Sequence, residues 1–258
     1  MYSAAFCMEK VIKHGINAGV YTVFCKDCNT YGPAFYYTKM ATDKKLIGIT
    51  FCNSPSAMAP WGGYEKMLGT NPVAVGIPGK NEGPILFDMA TSIVAKSKIN
   101  EARKKGKRIP NGWALDINGD STTDPIEAIK GLVLPMAGPK GYGLSMMIDI
   151  IAGLLSGAAY QNGVGRFYSE DNNSMNVGQV FIAINPELVM SADFYGMIDQ
   201  YIENIHCSKA KDDSTILFPG ERKLREYEKS QCVGIELSDE VVDSINRLLV
   251  DYNIDCRL

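Results

Sequence analysis

Ala5, Met8, Val11 and Ile12 recur at the spacing of one helical face, so the chain opens in an amphipathic helix with Gly15 as its expected stop. Residues 20–25 form a short β-rich run, followed by the loop KDCNTYG, and residues 34–42 return to a helical pattern. Residues 46–52 (LIGITFC) read as a buried strand that ends in the polar, proline-rich stretch NSPSAMAPWGG. Two further apolar runs, 72–78 and 84–89, are bracketed by proline and glycine and read as strands. A helical pattern over 90–107 ends in EARKKGKR, a basic segment suited to the negative end of a helix dipole. The turn-rich GWALDINGDSTTDP then leads toward a long apolar helix over 142–160. After it come a strand (178–185), a helix (192–205), a charged helix (221–229), a short strand (233–237) and a last helix with Ser238 as N-cap. Interspersed strands and helices, without a repeat or a low-complexity linker, predict an α/β chain, mixed α+β in detail.

The chain has 258 residues, enough for one large domain or a large and a small one. Its 26 Lys and Arg against 29 Asp and Glu leave no basic excess for a phosphate backbone, so no nucleic-acid partner is expected. The 142–160 stretch approaches the length of a membrane span, but Asp149 stands in its middle and Ser and Gly dilute it. It reads as a helix buried in a soluble core, with no membrane partner. Seven scattered cysteines and an N-terminus unlike a secretory signal point to a reducing compartment, and the expected location is cytoplasmic.

Neither GxGxxG nor GxxxxGK[ST] occurs, so Rossmann and P-loop sites are not supported. Gly138 to Gly143 (GPKGYG) opens the long helix, where free N–H groups, the dipole and Lys140 favour a pyrophosphate. The same glycines also suit a turn that lets two backbones pack. Asp88, at a strand end, suits ribose hydroxyls or a helix cap equally. Cys25 and Cys28 form a CxxC without a second ligand pair, so no metal site is expected and a thiol module is the outlying reading. His14 and His206 both read as helix-end residues, with no nucleophile or carboxylate beside them.

Four ordered strings, LGTNPVAVGIP (68–78), LFDMATS (86–92), PMAGPKGYGLSMMIDIIAGLLSGA (135–158) and FPGE (218–221), resemble the malate/L-lactate dehydrogenase family of the second type. That family is unrelated to the Rossmann dehydrogenases and includes ureidoglycolate, sulfolactate and diketogulonate oxidoreductases. The 135–158 string is most similar to the ureidoglycolate branch. The resemblance implies a non-Rossmann nicotinamide-binding fold, a mixed sheet flanked by helices, and usually a homodimer. It places NAD or NADP on Ser54, Asp88, Met89, Ala90, Lys140, Pro219, Gly220 and Glu221.

The same resemblance implies a division into 1–53 (part of a larger substrate and dimer domain), 54–184 (cofactor-binding) and 185–258 (returning to the larger domain). It also implies hydride transfer between the cofactor and a small 2-hydroxy acid such as malate, lactate or ureidoglycolate. Two departures stand out. The family's Ser-His-Gly helical motif belongs ahead of Met1, so the chain reads as N-terminally short. Its catalytic loop His falls at Thr30, whose hydroxyl is too weak an acid and base to shuttle a proton near neutral pH. The alternative reading is therefore a truncated or degenerate member that binds cofactor or dimerises with little turnover.

Overall fold

The computed structural model describes residues 1–166, 174–190, 192–212 and 214–256. They form two compact units, Met1–Gly220 and Glu221–Leu258.

The first unit is built on a five-stranded sheet of β1 (Val20–Cys28), β2 (Ile47–Cys52), β3 (Val73–Ile77), β4 (Ile85–Met89) and β8 (Val177–Ile184), in the order β1-β8-β2-β3-β4. Helices α1 (Tyr2–Ala18) and α2 (Ala34–Thr42) cover one face, where Met8, Val11, Tyr37, Ala41, Phe181 and Ala183 form the main core. Glycines set how closely these helices lie. A Cβ on Gly48 would stand 2.7 Å from the Cβ of Ala41, and one on Gly15 would stand 3.2 Å from that of Ala183. The other face meets α5 (Pro139–Ile148) and the π-helical turn Asp149–Leu154, through Ile148, Ala152 and Val180. A smaller sheet of β5 (Ala114–Leu115), β6 (Ser121–Thr122) and β7 (Leu132–Val133) packs with α3 (Lys96–Lys104) and α4 (Pro125–Lys130) around Ile99, Ala114 and Val133. Short α6 (Pro186–Val189) and α7 (Phe194–His206) follow β8, and the second unit is α8 (Glu221–Val233) and α9 (Asp239–Asp251).

The α/β class stands, with several corrections of detail. Every described ladder is antiparallel, so the sheet is not mixed. Gly15 does not stop α1, because its missing side chain serves the contact with Ala183; the helix ends at Gly19, φ 81°. His14 therefore lies inside α1, against the Tyr21 ring at 4.8 Å, whereas His206 does close α7. β1 continues through the expected loop to Cys28, with a register shift between Cys25 and Cys28. The helix expected from Ala90 begins only at Lys96. Residues 233–237 are not a strand: Gly234, φ 80°, ends α8 and gives the run no ladder partner among the described residues. Ser238 sits at the N-cap position of α9, but its hydroxyl makes no cap bond. The 142–160 stretch is only half buried, with Met147, Ile150, Ile151, Leu154 and Leu155 exposed. No described helix is long and apolar enough to cross a membrane.

Candidate active site

β2 and β4 both run antiparallel to β3, and β1 and β2 both run antiparallel to β8. The C-terminal ends of β1, β2 and β4 therefore share one end of the sheet with the starts of β3 and β8. Thr30 follows β1, Ser54 follows β2, and Asp88, Met89 and Ala90 close β4, all at that end. Adjacent strands lie about 4.8 Å apart, so Thr30 and Asp88 each stand about two strands, roughly 10 Å, to either side of Ser54.

Asn71, just before β3, ties the middle of this end together. Its Oδ1 accepts the Ser54 backbone N–H at 3.0 Å, and its Nδ2 donates to the Ser145 carbonyl at 2.9 Å. Ser145 Oγ in turn donates to the Gly69 carbonyl at 2.9 Å. Since Asn71 and Ser145 are wholly buried, these bonds fix α5 against the strand ends. The Met136 N–H donates to the Thr91 carbonyl and the Gly141 N–H to the Met136 carbonyl, each at 3.0 Å, which joins the start of α5 to the end of β4. Sequence reasoning passed over Asn71, although the LGTNP string contained it.

The start of α5 departs from the expected nest of free donors. Pro139 has no N–H, while those of Lys140 and Gly141 are taken by the Ala137 and Met136 carbonyls. Gly141 is a packing glycine, since a Cβ there would meet the Met136 carbonyl oxygen at 2.3 Å. A Cβ on Gly143 would meet nothing within 4 Å, and Lys140 is exposed. What remains here to meet an anion is the exposed Lys140 ammonium and the positive end of the helix dipole.

The Asp88 Oδ2 accepts the Phe35 N–H at 3.1 Å, so it caps the first turn of α2 rather than a helix following its own strand. Pro219 and Gly220 run alongside β4: the Leu86 N–H donates to the Pro219 carbonyl at 3.0 Å, and Gly220 (φ 94°) leaves no room for a Cβ beside Leu86. Glu221 opens the second unit, where it pairs with Arg225 one turn on. Thr30 is exposed, and its Oγ1 accepts the Gly32 N–H at 3.4 Å.

Tyr31, the neighbouring phenol, turns the other way. It is 3% exposed, stacks on Tyr37 at 5.2 Å and meets Phe181 edge-on. Its hydroxyl lies beside the Thr50 hydroxyl and the Cys52 thiol without a well-formed hydrogen bond among the described residues, and burial, then Cys52, push its pKa well above 10.0. Asp149 is buried as well and its pKa is raised by desolvation, against bonds from the Gln161 N–H and Asn53 Nδ2. A cleft of about 840 Å³ takes its lining from none of the residues expected to hold cofactor. No group of metal-ligating side chains occurs among the described residues.

A nicotinamide dinucleotide offers two ribose diols, a pyrophosphate and a flat ring. The chain answers with a carboxylate acceptor at Asp88, an exposed ammonium at Lys140, the Ser54 hydroxyl and open backbone at Gly143, so the donor set fits that group. The sequence holds no GxGxxG turn, so a dinucleotide on this antiparallel sheet would bind without a Rossmann motif. The structure superposes on the sulfolactate dehydrogenase from Methanocaldococcus jannaschii with a TM-score of 0.88 and 36% identity, covering 97% of this chain and 72% of that one. In sequence it is 38% identical over 252 residues to the L-sulfolactate dehydrogenase of Methanothermobacter thermautotrophicus, covering 97% of this chain and 72% of that one. It is 35% identical over 241 residues to the ureidoglycolate dehydrogenase (NAD(+)) of Escherichia coli, covering 93% and 68%. The chain belongs to the malate/L-lactate dehydrogenase family, which it matches over residues 1–246. The sulfolactate relative is the more similar of these two, against the ureidoglycolate branch expected from residues 135–158.

Proposed function

We propose that this chain transfers a hydride between NAD or NADP and the hydroxyl-bearing carbon of a small 2-hydroxy acid of the malate, sulfolactate or ureidoglycolate kind. The observation that carries the reading is the gathering of Ser54, Asp88, Met89 and Ala90 at one sheet end, with the Lys140 helix pinned to it through Asn71. The nicotinamide, when bound, supplies the hydride acceptor or donor. Asp88 accepts ribose hydroxyls, Lys140 neutralises the pyrophosphate, and Pro219 and Gly220, which run alongside β4, complete the cofactor contacts. In this scheme 54–184 is the main cofactor-binding region, and 1–53 and 185–258 build the rest of the substrate and dimer scaffold. Thr30 lies where a proton must enter or leave, and its hydroxyl hydrogen-bonds the substrate or a water without acting as a base.

Thr30 also favours a second reading, cofactor binding with little turnover. Exposed Met147, Ile150, Ile151, Leu154 and Leu155 support a homodimer, and seven free cysteines support a cytoplasmic protein. A fluorescence titration with NADH and NADPH tests the site. Lys140→Ala should weaken binding about tenfold to a hundredfold, the worth of one charge-assisted contact. Unchanged affinity would remove Lys140 from the site.

A further inference from the structure

Cys25 and Cys28 belong to no part of the site described above, yet their sulfurs lie 3.3 Å apart. In a regular strand, residues three apart point to opposite faces. Here the register of β1 against β8 slips between Cys25 and Cys28, and Asp27 adopts φ 57°, a left-handed conformation uncommon outside glycine. This bulge turns Cys28 onto the side of Cys25. The Asn176 Oδ1 holds it by accepting the Asp27 N–H at 3.1 Å, and Cys28 Sγ donates to the Lys26 carbonyl at 3.4 Å. Bulges that re-aim a side chain are built features of a sheet rather than defects.

We propose that Cys25 and Cys28 are a dithiol modification site that a low-molecular-weight disulfide of the glutathione type oxidises to an intramolecular disulfide. Closing the gap from 3.3 Å to a bond of about 2.0 Å asks each sulfur to move well under 1 Å. Cys25 is half exposed and Cys28 buried, so the small disulfide meets Cys25 first. The Cys25 thiolate attacks one sulfur of the small disulfide, forming a mixed disulfide and releasing one small thiolate. Cys28, as thiolate, then attacks the Cys25 sulfur and releases the second. The two protons leave on the two small thiols, so the protein loses two electrons and the small disulfide gains them. Burial, and then Cys25 itself, push the Cys28 thiol up to about 12; capping Cys25 as a mixed disulfide removes the second of these causes. Cys7 is a competing neighbour, raised to about 12 by burial and by Cys25. The bond would lock the bulge one residue before Asn29, whose carbonyl accepts from Gln179 and whose Oδ1 accepts from the Met175 N–H. It would thereby hold the segment leading to Thr30.

The test uses the full chain with Cys207, Cys232 and Cys256, the exposed thiols, replaced by serine, incubated with oxidised glutathione and then alkylated. The expected product is about 2 Da lighter before alkylation, with two fewer alkylated thiols. Trypsin should yield residues 14–26 joined to 27–39, separable by reduction. Cys25→Ser and Cys28→Ser should each abolish the linked pair, with Cys28→Ser trapping the mixed disulfide on Cys25. Mixed disulfides alone in the parent, or residues 1–10 joined to 14–26 through Cys7, would overturn the assignment. The readout is a mass and needs no turnover, so its failure is separate from that of the proposed function.

Discussion

The Asp88 carboxylate and the Phe35 backbone N–H meet at 3.1 Å, joining the end of β4 to the first turn of α2. One side chain thus stands at the strand end proposed for the cofactor and also caps the helix that follows the Thr30 loop. The two roles separate by substitution. Asp88→Ala removes the cap and should lower stability by about 1 kcal/mol. Asp88→Asn keeps an acceptor oxygen for Phe35 and should melt close to the parent, yet bind NADH about tenfold more weakly. An Asn variant with parental affinity would leave Asp88 a helix cap only.

Tyr31 is the one phenol beside the Thr30 position in sequence, and the structure turns it into the core. Tyr31→Phe deletes a buried hydroxyl that makes no well-formed hydrogen bond among the described residues, so stability should change by no more than about 1 kcal/mol. Because the phenol does not face the proposed substrate, kcat should stay within about twofold. A loss of tenfold or more would make Tyr31 the proton donor.

Asp199 on α7 accepts the backbone N–H groups of Lys80, Asn81 and Glu82 at 2.8 to 3.3 Å. Burial pushes its pKa up, but those three bonds, with the Lys45 ammonium, outweigh this and leave it below the ordinary 3.8. A depressed carboxylate adds stability that is complete above about pH 3.8 and is lost as pH falls through the lower folded value. Asp199→Asn should therefore cost about 1 kcal/mol at pH 7, allowing for solvent screening. The gap from the parent should close as denaturation is followed from pH 4 to pH 2. A gap constant across that range would mean that the charge contributes nothing.

Periodicity and punctuation made most elements legible, and α2 matches its expected bounds of 34–42 because proline precedes it and a polar turn follows. What escaped were features set by tertiary contact. Gly15 looked like a stop because its value, a close approach to Ala183, lies 168 residues away. Residues 233–237 look like a strand locally but have no ladder to join among the described residues. The Cys25–Cys28 pair looked incidental because the bulge that aligns it depends on the register of β8. Asp88 and Lys140 do stand at the strand end and the helix start that the sequence pattern gives them. Asn71 was not legible, since a buried asparagine that bonds across the fold has no local pattern.

The central claim is hydride transfer, and label transfer tests it most directly because it detects slow turnover as well as fast. The chain is incubated with saturating NADH or NADPH deuterated at the transferring C4 position, in the presence of oxaloacetate, pyruvate or sulfopyruvate in turn. Product is then analysed by mass spectrometry. The account predicts deuterium on the hydroxyl-bearing carbon of at least one 2-hydroxy acid, in an amount that rises with protein concentration. Absence of label in every product after prolonged incubation, with cofactor binding verified by titration, would contradict it.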